Sequence, residues 1–322
     1  MKRFFKLLLY VFGAIIIVVA ALLIYVKTAL PSVGDPPDIK VEITPEQIER
    51  GKYLANHVMV CMDCHSTRDW SLFSAPPLAG TEGKGGDLFN QNLGFPGKYI
   101  SSNITPYSLG DWTDGEIFRA ITTGVSKDGH ALFPIMPYLN FGKLDQEDIY
   151  AVIAYMRTLE PIENKLEQSE SDFPMNFIIN TIPQKAEFNP LPPTEDIANY
   201  GKYLVTAAGC YGCHTKQEIS EDFASGNEFK FPDGSVVSSS NLTPHPNTGI
   251  GNWSKEQFVN RFKLYTDTSY TPEKVNQGEF QTVMPWIMYA GMTTEDLEVI
   301  YEYLKSVKPV DIFVDRFTPP LR

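Results

Sequence analysis

An uninterrupted apolar run of 20 residues, Leu7 to Val26, follows Lys2, Arg3 and Lys6 at the start of the chain. A helix needs about 20 such residues to cross the hydrocarbon core, whereas the apolar part of a secretory signal is about 7–15. Lys27-Thr28-Ala29 makes a poor cleavage site, and no cysteine lies near the run to carry a lipid. Residues 1–27 therefore read as a retained signal anchor rather than a cleaved signal. The basic flank puts the first residues in the cytoplasm and the remainder outside. A Pro-rich tether, 28–43, follows.

Beyond the tether the apolar positions repeat at helical spacing, in two similar halves. Thr44, Pro45 and Gln47 make a helix start, with a cap, a first-turn proline and a capping-box partner. Pro192-Pro193-Thr194 suggests the same start for the second half. Ile149, Val152, Ile153 and Met156 fall at i, i+3, i+4 and i+7, as do Leu297, Ile300, Tyr301 and Leu304, so each half closes on an amphipathic helix. Between the helices lie Gly-, Pro- and Asn-rich loops, and no stretch alternates with period two. The expected class is mostly α with long loops.

The halves share more than periodicity. Gly51-Lys52-Tyr53-Leu54 returns as Gly201-Lys202-Tyr203-Leu204, Ser102-Asn103-Ile104-Thr105-Pro106 as Ser240-Asn241-Leu242-Thr243-Pro244, and Gly110-Asp111-Trp112-Thr113 as Gly251-Asn252-Trp253-Ser254. Met136-Pro137 returns as Met284-Pro285, with Asp148 and Asp296 each 12 residues further on. The order is conserved between the halves, the mark of a tandem duplication. The expected division is 44–162 and 194–310 for the two units, with 163–193 as an apolar linker strapped across their surface and 311–322 as a tail.

Composition is that of a globular protein, with 43% hydrophobic and 20% charged residues. Net charge is −12; beyond residue 27 it is −16, from 23 Lys and Arg against 39 Asp and Glu. Such a surface does not seek nucleic acid. It suits a basic redox partner, or is simply a soluble acidic surface.

All four cysteines stand in two copies of Cys-x-x-Cys-His: Cys61, Cys64, His65 and Cys210, Cys213, His214. This spacing is that of c-type haem attachment, in which two thiols form thioethers to one haem and the adjacent histidine reaches the iron. Disulfides or one shared zinc are the alternatives. Zinc pairs usually stand about 12–20 residues apart, and zinc gives no reason for a histidine after each pair. The sixth iron ligand is expected to be methionine or histidine. Met136 and Met284 alone occupy equivalent positions, 71 and 70 residues after their histidines. His57, His130 and His245 have no counterpart in the other half and read as surface or loop residues. Trp112 and Trp253, with Asn103 and Asn241, offer N–H donors to haem propionates; equally, the Asn-x-Thr-Pro segments are turns and the tryptophans core.

With these motifs the chain resembles a duplicated class I cytochrome c, and more closely the membrane-anchored di- and trihaem cytochrome c subunits of bacterial alcohol, gluconate and sugar dehydrogenases. The resemblance rests on Cys-x-x-Cys-His, Ser-x-Asn-Ile-Thr-Pro, Gly110 to Glu116, Gly124 to Gly129 and Met-Pro-Tyr. The chain departs in having two haem motifs where many relatives have three, and in replacing the Gly124–Gly129 segment of the first unit by Lys263–Thr282 in the second. The resemblance implies two covalent haem c groups and electron transfer from a dehydrogenase subunit to an oxidase, quinone or other cytochrome, at the periplasmic side of the inner membrane. A peroxidase-like dihaem enzyme or a haem sensor is the alternative, distinguished by an open iron position.

Overall fold

The computed structural model describes residues 2–215, 222–224, 226–266 and 269–320; Met1, part of the Lys263–Thr282 stretch and the last two residues of the tail lie outside these. Helix α1, Lys2–Thr28, is long and apolar enough to cross a membrane, and none of it is buried against the rest of the chain. The tether that follows lies on the first unit. Val41 N–H donates to Asp114 Oδ2, and Pro37 O approaches Gly115 so closely that a Cβ there would lie 1.8 Å from it.

Each unit is framed by two crossed helices. Helix α2 (Pro45–Tyr53) crosses α4 (Gln146–Arg157), and α5 (Ile197–Ala207) crosses α7 (Thr294–Ser306). The crossings are close because each places a glycine under the partner backbone. A Cβ on Gly51 would sit 1.8 Å from Ala151 O, and one on Gly201 would sit 2.8 Å from Val299 O. Ala151 and Val299 are themselves equivalent positions. The apolar stripes predicted for α4 and α7 are buried. A shorter helix completes each unit: α3 (Asp114–Thr123) and α6 (Lys255–Lys263). Both start on full capping boxes, Thr113 with Glu116 and Ser254 with Gln257.

The expected α2 cap is present, with Thr44 Oγ1 accepting from Gln47 N–H. The expected cap of the second unit is not. Thr194 lies before the helix, and Asp196 caps α5 by accepting from Asn199 N–H. An aspartate there meets the same orphan backbone donors two residues later.

Strands are also present, although no alternating stretch announces them. The first unit has β1 (Leu88–Phe89), β2 (Gly97–Ile100) and β3 (Glu170–Ser171); the second has β4 (Glu228–Lys230), β5 (Val236–Ser238) and β6 (Phe317–Thr318). Each set forms an antiparallel sheet with the middle-numbered strand at its centre, in registers such as Leu88↔Ile100 and Glu228↔Ser238. Strands of two to four residues are too short to show a period. In both sheets the third strand comes from the chain that follows the closing helix. Linker residues 163–171 and the tail therefore make the same return, each along its own unit.

The two units meet about a pseudo-twofold relation. Tyr53 Oη of the first donates to Asp296 Oδ2 of the second (2.5 Å) and accepts from Thr293 N–H; Tyr203 Oη of the second donates to Asp148 Oδ2 of the first (2.6 Å) and accepts from Asp145 N–H. Each carboxylate takes its other bonds at home. Arg50 holds Asp148 through Nε and Nη2, both at 2.8 Å, and Tyr200 Oη donates to Asp296 Oδ1 at 2.8 Å. His57 belongs to this contact rather than to the surface: it is half-buried, with Nδ1 3.0 Å from Met288 O.

Replacing Gly51 by alanine forces α2 off α4 and should cost roughly 1–3 kcal/mol of stability, read from the denaturant midpoint. A larger effect than at Gly13 of α1, where an added Cβ would meet no other atom of the chain, is the expected control. Burial first, and the neighbouring carboxylate second, raises the phenols of Tyr53, Tyr200 and Tyr203 above the ordinary tyrosine range. Neutral phenol is thus favoured in the folded state. Stability from this source is fully present below about pH 10 and is lost as pH rises beyond it. An alkaline unfolding titration should become shallower in Tyr203→Phe; an unchanged slope refutes the attribution.

Candidate functional site

The Cys-x-x-Cys-His segments follow directly from α2 and α5, and the two halves reach them differently. The first unit has one more residue between its Gly-Lys-Tyr-Leu and its first cysteine than the second. The extra residue is absorbed by a π-helical turn, Leu54–Val58, with Met59 N–H donating to Leu54 O, while α5 runs on as a regular helix. Each cysteine pair then starts a short helical turn after a left-handed residue. In the second unit this is Gly209, at φ 66°; in the first it is Val60, at φ 46°, a conformation strained for a β-branched side chain. One helical turn puts both thiols of a pair on the same side.

The two histidines are held alike. His65 Nδ1 lies 2.7 Å from Ser102 O, and His214 Nδ1 lies 2.8 Å from Ser240 O. A carbonyl only accepts, so Nδ1 carries the proton and Nε2 keeps the lone pair a metal needs. Burial lowers the pKa of both rings and so favours this neutral form.

The carbonyls are set by the repeated asparagines. Asn103 Nδ2 donates to Ile162 O, while its Oδ1 accepts from Thr105 N–H and Oγ1–H. Asn241 Nδ2 donates to Val310 O, and its Oδ1 accepts from Thr243 N–H. Both asparagines are buried. Their hydrogen bonds pin the turn that carries the histidine's acceptor, as the turn reading expects. Trp112 and Trp253 line the same cavity; Trp112 packs against the core and Trp253 is partly exposed.

His65, His214, Met136, Met284 and all four cysteines line one continuous cavity of about 2280 Å³. This is well above the roughly 300–1,000 Å³ of ordinary ligand pockets, and its walls are largely aliphatic and aromatic. The Met-Pro segments share one backbone form. Pro137 has φ −79° and ψ 47°, Pro285 has φ −80° and ψ 62°, and the next N–H reaches back to the methionine carbonyl at 2.8 Å in each. A large apolar cavity, paired thiols on one turn, and a neutral histidine with Nε2 available fit an attached haem. Among the described residues no three His, Cys, Asp or Glu side chains converge, which leaves the zinc reading without a ligand set.

Two features of the site are not visible in the motifs. Asp63, inside the first motif, is buried with Arg68, which also binds Asp87 at 2.5 Å. Burial outweighs the guanidinium and pushes Asp63 up to about 6. The second feature is a contact from the first unit onto the methionine turn of the second. Ser74 Oγ donates to Met284 O (2.6 Å) and accepts from Trp286 N–H, while Ser74 N–H donates to Gln281 Oε1. Gln281 Nε2 returns to Trp70 O and Leu72 O. Ser74 and Ala75 are buried at φ 63° and 43°, so the loop is held in a strained shape to make this contact.

No protein-family model matches the chain. Curated proteins do. The cytochrome c subunit of the quinone-dependent alcohol dehydrogenase of Gluconacetobacter polyoxogenes is 29% identical over 283 residues, 82% of this chain and 56% of that protein. The gluconate 2-dehydrogenase cytochrome c subunit of Pantoea cypripedii is 27% identical over 84% of this chain and 62% of that protein. The fructose dehydrogenase cytochrome subunit of Gluconobacter japonicus is 27% identical over 81% and 52%. The chain is a homologue of dehydrogenase cytochrome c subunits. It spans little more than half the length of these relatives. Homology to cytochromes c implies covalently bound haem c and an electron-transfer role, in agreement with the cysteine motifs.

Proposed function

We propose that the chain is a membrane-tethered carrier with two haems, one in each of two tandem class I cytochrome c units. Cys61 and Cys64 attach one and Cys210 and Cys213 the other, with His65 and Met136, and His214 and Met284, as the axial pairs. The observation that carries this reading is the repetition of the whole site: the same histidine–carbonyl bond, the same asparagine brace and the same Met-Pro turn occur twice on one cavity wall system. Haem iron held by histidine and methionine supplies a reversible one-electron couple, and methionine raises its potential. The protein's part is to hold the ligands, exclude water and fix the polarity around them. With both axial positions filled by side chains, no iron site is left for substrate, which favours the carrier over a peroxidase-like enzyme or sensor.

The relatives are named as cytochrome subunits of dehydrogenases, which supports a dehydrogenase as donor; an oxidase or another cytochrome is the proposed acceptor. With α1 as the anchor and basic residues inside, both units stand on the periplasmic side of a bacterial inner membrane. The net −16 beyond α1 favours a basic docking face on the partner.

Acid–acetone extraction removes only non-covalent haem, so two haems per chain should survive it; one or none overturns the proposal. Met136→Leu and Met284→Leu should each remove about half of the near-infrared charge-transfer band of His/Met iron and open one iron to carbon monoxide. A band unmoved by Met284→Leu, with an iron opened instead by His245→Ala, would reassign the second unit. The Ser74 hydroxyl adds a finer test. Ser74→Ala removes a bond worth about 1 kcal/mol to the Met284 turn, so the second haem should bind carbon monoxide roughly fivefold more readily, with the first unchanged. Equal change at both haems would mean general loosening.

A further inference from the structure

One stretch of the linker between the units lies on the outside of the first unit. Asp172 N–H is bonded to Pro96 O, and Gln91 Nε2 to Asp172 Oδ2; further on, Pro183 is buried and Glu187 N–H is bonded to Gly142 O. The ten residues between, Phe173 to Ile182, are fixed at both ends on the first unit, yet none of them is buried. They fold into two short turns, Met175–Ile178 and Ile179–Thr181. Their composition is wrong for an aqueous loop. Phe173, Met175, Phe177, Ile178, Ile179 and Ile182 are apolar, and no charged residue occurs from Phe173 to Gln184. Phe173 is 79% exposed and Ile178 44%.

The position of this loop explains its composition. It touches α1, and it does so at the end from which the chain leaves the apolar run. Lys27, the first residue beyond that run, places its Nζ 5.0 Å from the centre of the Phe177 ring. A lysine that ends a spanning helix sits at headgroup level, and aromatic rings are enriched at that same level. The docked tether, through Val41 and Pro37, fixes the first unit close to the exit of α1.

We propose that residues 173–182 are a second, interfacial membrane contact, with Phe173, Phe177 and Ile178 seated in the headgroup–acyl boundary of the leaflet from which α1 emerges. The inference rests on the reading of α1 as a retained membrane helix. Its occupant is lipid rather than a protein partner, because the loop is brought to the bilayer surface by its own contact with α1. A loop fixed at both ends, unlike a flexible tether, also sets the orientation of the first unit over the membrane. Ile179 lines the large cavity as well, so the same loop joins the membrane contact to the wall of the candidate site.

The test uses the haem-loaded, full-length protein in phosphatidylcholine–phosphatidylglycerol vesicles. In that form the four native thiols are taken up, so a nitroxide can be placed on one added cysteine. Three variants are compared by power saturation with oxygen and with a water-soluble nickel chelate: Ile178→Cys, Leu264→Cys on an exposed site of the second unit (54% exposed), and Ile17→Cys within α1. The expected ratio of oxygen to nickel accessibility at position 178 is several-fold above that at 264 and below that at 17. If position 178 matches 264 while 17 is deep in lipid, the loop lies in water: the proposal fails and the anchor stands. If position 178 is shielded from both reagents, protein covers the loop and the proposal also fails. If position 17 is itself aqueous or absent from the mature chain, the anchor reading fails and this inference falls with it.

Discussion

Two carboxylates hold the molecule together. Asp148 and Asp296 each join a bond from their own unit to a phenol from the other, and each sits on the closing helix that crosses the helix leading into a cysteine pair. Neither carboxylate can lose its partners cheaply, because a buried charge without hydrogen bonds costs more than the bonds return when made. The relative placement of the units, and so of the two halves of the shared cavity, follows from these contacts. The Ser74 contact to the Met284 turn is possible only because the units are already fixed in that arrangement.

Much of this was legible in the chain, for reasons that can be named residue by residue. The closing helices are legible as apolar stripes, because helix burial imposes a period, whereas the repeated Gly-Lys-Tyr-Leu marks a duplication and not the crossings that Gly51 and Gly201 make. The cysteine and histidine positions stand out because thioether attachment permits few spacings, and the fold brings them to one cavity. Asp148 and Asp296 stand out as repeated acids, but their role does not, since a carboxylate shared across two units leaves no local pattern. The capping boxes at Thr113 and Ser254 mark the starts of α3 and α6, but each sits inside a longer repeated motif that masks it. The strands were too short to alternate. The α5 cap fell at Asp196 rather than Thr194 because any short polar acceptor near the first turn serves, and a sequence offers several.

The asparagine pair does the same work for the backbone in both halves. One N–H of the Asn103 amide holds Ile162 O, the neighbouring Ser102 carbonyl accepts from His65, and Asn103 also lines the cavity. The hydrogen bonds of the motif run largely to backbone groups, which its side-chain types alone do not disclose.

The reciprocal contact between the halves has a further meaning. An interface in which one surface meets its own equivalent is the form taken by a symmetric dimer of identical chains. Here the two copies are joined in one polypeptide, so association no longer depends on concentration. Once covalently joined, they are free to differ. The additional residue taken up at Leu54–Val58 is a change that a true homodimer would have had to make twice. Fusion thus allows one half to be shaped by its neighbour while the neighbour keeps its own form, and gives the symmetry a direction.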